Sequence, residues 1–136
     1  MTNVVVISAV HDYRMPRRGS VQAIADAFVR RGCSTTFVSL RFSELSKAKN
    51  DPRWFLAKDA NSVKTHNGVD CYLWRTLLHP FRTRPDWLNG LTAPLHELYA
   101  RLPNADLDRL LRAADVVIVE SGLGILLIPR IRRLNK

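Results

Sequence analysis

From Asn3 to Val10 the chain is almost wholly apolar and rich in β-branched residues, the pattern of a strand buried on both faces of a helix-flanked parallel sheet. The period then changes. Val21, Ile24, Ala25, Phe28 and Val29 fall on one helical face, with Ser20 placed as the cap and Gly32 as the stop after Arg30 and Arg31. Ser34 to Leu40 is β-rich again, so residues 3–40 predict a βαβ unit with a right-handed crossover. Arg41 to Lys58 is polar and basic around Trp54, Phe55 and Leu56, with a turn at Asp51-Pro52, and predicts an irregular excursion. Asn61 to His66 and Val69 to Thr76 flank Asn67-Gly68, a dipeptide that tolerates the positive φ of a type I′ hairpin turn.

Leu77 to Pro85 predicts a second irregular segment, broken at His79-Pro80 and Arg84-Pro85. A helix is predicted from Thr92 or Ala93, with Pro94 at its first position and Leu95, Leu98 and Leu102 following. Asn104 caps another, carrying Leu107, Leu110, Leu111 and Ala114; Val116 to Glu120 reads as a buried strand, and Leu123 to Arg133 as helical. The order predicts one α/β domain over residues 1–136, a Rossmann-like, open, twisted and mostly parallel sheet with helices on both faces.

Composition narrows the class. A chain of 136 residues with 46% hydrophobic positions can bury a core without disulfides or a metal. Cys33 and Cys71 sit in apolar segments and read as buried free thiols. The run Val4 to Val10 lacks the basic flank of a signal peptide, and no apolar run reaches the roughly 18 residues of a membrane span. The 21 basic against 12 acidic residues, net +9, point to anionic partners: acidic lipid, phosphate-bearing substrates or nucleic acid.

In open α/β sheets the crevice lies beyond the strand carboxyl ends, here the loops beginning at His11, Arg41, Leu77 and Ser121. The first holds His11, Asp12, Arg14, Arg17 and Arg18 ahead of a helix N-terminus, where guanidiniums either clamp a phosphate or carboxylate or remain solvated loop charges. It lacks the glycine fingerprints of dinucleotide and P-loop sites. His11 and Asp12 can serve as base and orienter, although neighbours on extended backbone point apart and separate roles fit better. Glu120 ends a strand at the crevice and can bind a hydroxyl or pair with an arginine; Gly122 and Gly124 either admit a ligand or form a tight turn. His66, His79 and His96 have no metal spacing with the cysteines. Arg53, Trp54, Phe55, Arg82, Arg84, Trp87 and Leu88 mix rings, aliphatics and cations as a membrane interface does, or the rings complete the core. A basic nucleic-acid module and a small self-contained enzyme using His11 or Asp12 are the alternatives, and no RNP, KH or helix-turn-helix signature supports the former.

His11-Asp12-Tyr13-Arg14 with Pro16-Arg17-Arg18, Phe37 to Ser43, His66 to Thr76 with His79-Pro80-Phe81 and Thr83-Arg84, and Glu120-Ser121-Gly122 resemble GumK-like, xanthan-type glucuronosyltransferases. The resemblance covers essentially the whole chain. It implies the N-terminal, acceptor-binding half of a GT-B fold, in an enzyme that transfers glucuronate from UDP-glucuronate, with inversion, to a polyprenyl-diphosphate-linked oligosaccharide at the inner face of the bacterial cytoplasmic membrane. No metal or other cofactor is expected, and no nucleic acid. The donor would bind a C-terminal domain that this chain lacks. The family's base, an aspartate, is expected beyond Arg133-Leu134-Asn135 and past Lys136, so the domain is expected to be incomplete at its C-terminal end and inactive alone. His11, Asp12, Arg14, Arg17, Arg18, Trp74, Arg75 and Glu120 are then the acceptor-side candidates, with an anionic membrane surface as second partner.

Overall fold

The structure, a computed structural model, describes residues 1–81 and 87–135. The described residues form five strands: β1 (Asn3–Ser8), β2 (Ser34–Phe42), β3 (Val63–His66), β4 (Val69–Arg75) and β5 (Val116–Val119). The helices are α1 (Ser20–Arg30), α2 (Glu44–Ala48), α3 (Trp87–Arg101), α4 (Ala105–Ala113) and α5 (Ile128–Leu134), with 3₁₀ turns at Trp54–Asp59 and Leu123–Leu127. The sheet order is β3-β4-β2-β1-β5, parallel except for the edge hairpin β3-β4. This is the predicted Rossmann-like α/β sheet, the architecture implied for the N-terminal half of a GT-B fold.

Strand alternation sends the apolar residues both ways. Val4, Val6, Phe37, Val69 and Cys71 pack under α1 against Val21 and Ala25. Val5, Ile7, Val38, Leu40, Tyr72 and Trp74 face Tyr99, Leu107, Leu111 and Leu127 on the other side. Both faces of β1, β2 and β4 are covered, which is why those strands read as largely apolar runs, whereas β5, predicted as a buried strand, is an edge strand with Val116 exposed and Val117 to Glu120 half-buried. Cys33 and Cys71 are free thiols, and burial pushes the Cys71 thiol up to about 12, so it is inert packing.

Local chemistry explains the differences from the sequence reading. β1 stops at Ser8, because the Ser8 hydroxyl accepts from the amides of Val10 and His11 and turns the chain out of the sheet. The cap of α1 is Gly19, one residue before the predicted Ser20, and the Gln22 side chain reaches back to accept from the Gly19 amide. The excursion after β2 is partly helical, since Ser43 caps α2 through the Leu45 amide. β3 begins at Val63 and not Asn61, because the Asn61 side chain and amide bond Arg75 and Leu73 as a clasp on β4. α3 starts at Trp87, with Pro94 inside it and not at its first position. The side chains of Thr92 and His96 contact the carbonyls of Asn89 and Thr92 around that interruption. The Asn67-Gly68 turn has φ of 49° and 78°, and Asn104 caps α4, both as the sequence predicts.

β1 lies between β2 and β5, so the connections leave it in opposite directions. That reversal opens a crevice at the strand carboxyl ends.

Candidate functional site

Ser8 ends β1, and Glu120 extends β5 beside it, its amide donating to the Ile7 carbonyl at 2.9 Å. Ser8 Oγ donates to Glu120 Oε2 and accepts from the His11 amide. His11 Nε2 stands 3.7 Å from Glu120 Oε1, too far for a hydrogen bond, and both side chains remain partly open to solvent. The carboxylate is thus held on one side and accessible on the other. A hydroxyl-bearing ligand can bridge Glu120 and His11, the carboxylate accepting and the imidazole donating or accepting.

Arg41, near the end of β2, is a separate feature at the strand carboxyl ends. Its φ of 58° is left-handed, unusual for a residue with a side chain, and it sits where the β2–β4 register shifts between Ser39 and Phe42. The strain is held from two sides. The Tyr99 hydroxyl accepts from the Arg41 amide at 2.8 Å, and Arg53 donates to the Leu40 and Arg41 carbonyls at 2.7 and 2.9 Å. No carboxylate pairs with the Arg41 guanidinium among the described residues. It lines a cavity of about 310 Å³ with Pro80, Phe81, His96, Gly122 and Leu123. Neither Arg41, Ser8 nor His79 stands out in the sequence; a strained φ and an unpaired cation are visible only in three dimensions.

The other candidates separate. Asp12 is fully buried, taking two bonds from the Arg14 side chain, at 2.8 and 2.9 Å, one from the Arg14 amide and one from Ser39 Oγ at 2.7 Å. Burial alone raises its pKa, but Arg14 and Ser39 hold the carboxyl below its ordinary value. No contact joins it to His11, so a His11–Asp12 base pair is not formed. Arg14 is consumed by this pair and does not present an open clamp; one of its terminal nitrogens, Nη1, is buried without a partner among the described residues. Arg18 binds Asp26 and the Tyr13 carbonyl and lies 4.6 Å from the Tyr13 ring centroid. Arg17 is exposed, without an ion-pair partner among the described residues. Trp74 is buried in the core, its ring 4.8 Å from Tyr99, and reaches only the wall of a larger cavity. Arg75 lines the same wall and pairs with Glu44.

Among the membrane candidates, Arg53 is a correction: it is 3% exposed, closed on Asp51 and two carbonyls, and offers no cation to a surface. Trp54 is half-buried against Phe42, with ring centroids 5.5 Å apart. Phe55 and Trp87 are 56% and 68% exposed. Arg82, Arg84 and the side chain of Leu88 lie outside the described residues. Gly122 adopts φ +90°, and a Cβ on Gly124 would meet Val119 at 2.9 Å, so this glycine pair serves a turn and close packing. No described helix is long and apolar enough to cross a membrane.

The model of a known family, the N-terminal domain of the glucuronosyltransferase GumK, matches residues 6–136. The UDP-glucuronate:glycolipid 2-beta-glucuronosyltransferase of Xanthomonas campestris pv. campestris is 45% identical over 130 residues, covering 96% of this chain and 32% of that protein. The chain thus spans about a third of that relative's length. With the matched model, the parallel sheet and the crevice at its switch point in agreement, this chain belongs to the GumK N-terminal domain family.

Proposed function

We propose that this domain is the acceptor-holding half of an inverting glucuronosyltransferase, acting with a second domain that binds UDP-glucuronate. The acceptor is a polyprenyl-diphosphate-linked oligosaccharide, and the domain works as a peripheral protein on the anionic inner face of the cytoplasmic membrane. One observation carries the reading. Glu120, fixed by Ser8 and facing His11 at the β1–β5 crevice, is a half-open carboxylate suited to a sugar hydroxyl. The name of the Xanthomonas relative, which couples UDP-glucuronate to a glycolipid, supports the choice of substrates. In such a transfer the domain's part is to hold the attacking hydroxyl in line with the donor's anomeric carbon while UDP leaves from the other side. The basic surface supplies attraction to diphosphate and acidic headgroups.

The test replaces the N-terminal domain of the Xanthomonas relative with this chain and measures transfer of labelled glucuronate from UDP-glucuronate to glycolipid. Transfer is expected, falling about 10–100-fold in Glu120→Gln with the fold intact, as a charge-assisted bond to a hydroxyl is weakened. A folded chimera that binds donor and transfers nothing would overturn the reading.

A further inference from the structure

A cavity of about 680 Å³ lies between the end of β4, residues 76–81 and α3, within the size range of small-molecule sites. Trp74, Leu77, Leu78, Leu95, Leu98 and Leu102 make its walls largely apolar. Leu77 and Leu98 are 89% and 57% exposed, so this is apolar surface left open at a concave place. Pro80 and Phe81 line this cavity and also the smaller one that holds Arg41 and His96. An apolar compartment and a cationic one therefore meet across two residues. Lys49 Nζ, 4.3 Å from the Phe81 ring centroid, brings another cation to the junction.

His79 also lines the apolar compartment, and only 7% of it is exposed. Its Nδ1 is 2.8 Å from Ser43 Oγ, which accepts from the Leu45 amide and has no other acceptor for its hydrogen among the described residues. The hydroxyl therefore donates to Nδ1, leaving the proton of the neutral ring on Nε2. Nε2–H has no partner among the described residues and is not sealed off as Arg14 Nη1 is, so it remains open to an oxygen entering the cavity.

We propose that the two compartments form one site for a single lipid phosphate drawn out of the bilayer, its chain between β4 and α3 and its phosphate against Arg41. His79 Nε2–H donates to an oxygen near the junction. This rests on the acceptor-domain reading and adds where the lipid of that acceptor goes. A bilayer surface has no group that reaches His79 inside the cavity; one chain ending in an oxyanion does, and the guanidinium left unpaired among the described residues, Arg41, stands at the Pro80–Phe81 junction, whereas Arg75 on the cavity wall is already paired with Glu44.

Isothermal titration of the chain with farnesyl phosphate below its micellar concentration, with farnesol and with inorganic phosphate tests the site. Saturable one-to-one binding of farnesyl phosphate is expected, about tenfold tighter than farnesol, with none of inorganic phosphate. Arg41→Asn, a side chain that tolerates positive φ, should bring farnesyl phosphate down to the affinity of farnesol. Leu98→Trp, at an exposed position that fills the cavity, should abolish both while the melting temperature holds; Leu95→Trp, 50% exposed in the parent, is the second variant should the first not fold. Absence of saturable binding, binding indifferent to the cavity-filling variant, or an unchanged phosphate preference in Arg41→Asn overturns the proposal. Acidic-lipid vesicles separate the sources: equal loss of vesicle and farnesyl phosphate binding on filling the cavity would make it part of a bilayer-docking face and overturn the single-lipid site. Chimera transfer that persists with the cavity filled overturns this site alone, whereas farnesyl phosphate binding without any transfer leaves it standing and removes the enzymatic reading.

Discussion

Two arginine-rich segments follow parallel strands at the same edge of the sheet, and they use their charges in opposite ways. In the loop after β1, Asp12 closes on Arg14 and Ser39, and Arg18 closes on Asp26 and Tyr13. Around the ends of β2 and β4, Arg41 keeps an unpaired guanidinium and His79 an unpartnered ring nitrogen among the described residues. The first loop is the one whose sequence suggests an anion clamp, and it is mostly self-satisfied. A cation is available to a ligand only where the fold withholds its counter-ion, and that depends on the third dimension.

The most damaging way to break the contrast is to remove Asp12. Arg14, with a side chain 7% exposed, would remain buried without its counter-ion, so Asp12→Ala should lower unfolding free energy by about 3–5 kcal/mol in urea denaturation. Adding Arg14→Met should recover much of that loss, since the uncompensated charge is then gone, and the double-mutant cycle reads the coupling. A loss under about 1 kcal/mol would mean that the loop is not anchored through this pair.

The second region responds to pH. Burial first, then the cations of Arg41, Arg53 and Lys49, with only Asp51 opposing, hold the His79 imidazole down to about 4 from an ordinary 6.5. A depressed folded pKa means that the folded state binds fewer protons, so the stability is whole above pH 6.5 and is lost as pH falls toward 4. The loss should be on the order of 3 kcal/mol across that window. His79→Asn, whose amide oxygen can still accept from Ser43, should flatten this part of the profile. Urea midpoints at successive pH values, compared between the two proteins, check it; parallel profiles would place the imidazole in water.

The contrast also marks what was legible in the sequence. The sheet was, because Val4 to Ser8 and Thr35 to Leu40 are buried on both faces and read as β-rich runs, while Val116 to Val119, only part-covered at the edge, is still apolar throughout. Gly32, Asn67-Gly68 and Asn104 announced their turns and cap through backbone needs that few residues meet. Pro94 misled, since its preference for a first helical turn is local and the packing of Tyr99 and Ala100 carries α3 across it. At the site, Glu120 was legible as a carboxylate ending an apolar strand. Arg41 was not, because its character comes from a register shift, from the Tyr99 hydroxyl and from Arg53, which are 58 and 12 residues away in sequence. Arg53 itself read as a surface cation for the same reason: its carbonyl partners are set by tertiary structure.

The smallest expected effects give the sharpest division within the first loop. Arg17 is exposed and unpaired among the described residues, whereas Arg18 shares Asp26 with Tyr13 and lies over the Tyr13 ring. Arg18→Ala should therefore cost about 1 kcal/mol of stability, from a half-exposed ion pair and a cation–π contact, and little vesicle affinity. Arg17→Ala should leave stability within about 0.5 kcal/mol but weaken binding to acidic-lipid vesicles by about 1 kcal/mol, an effect that fades as salt is raised. Thermal melts and vesicle co-sedimentation on both variants read the two quantities. If the variants exchange phenotypes, internal satisfaction is not what separates a structural arginine from an available one.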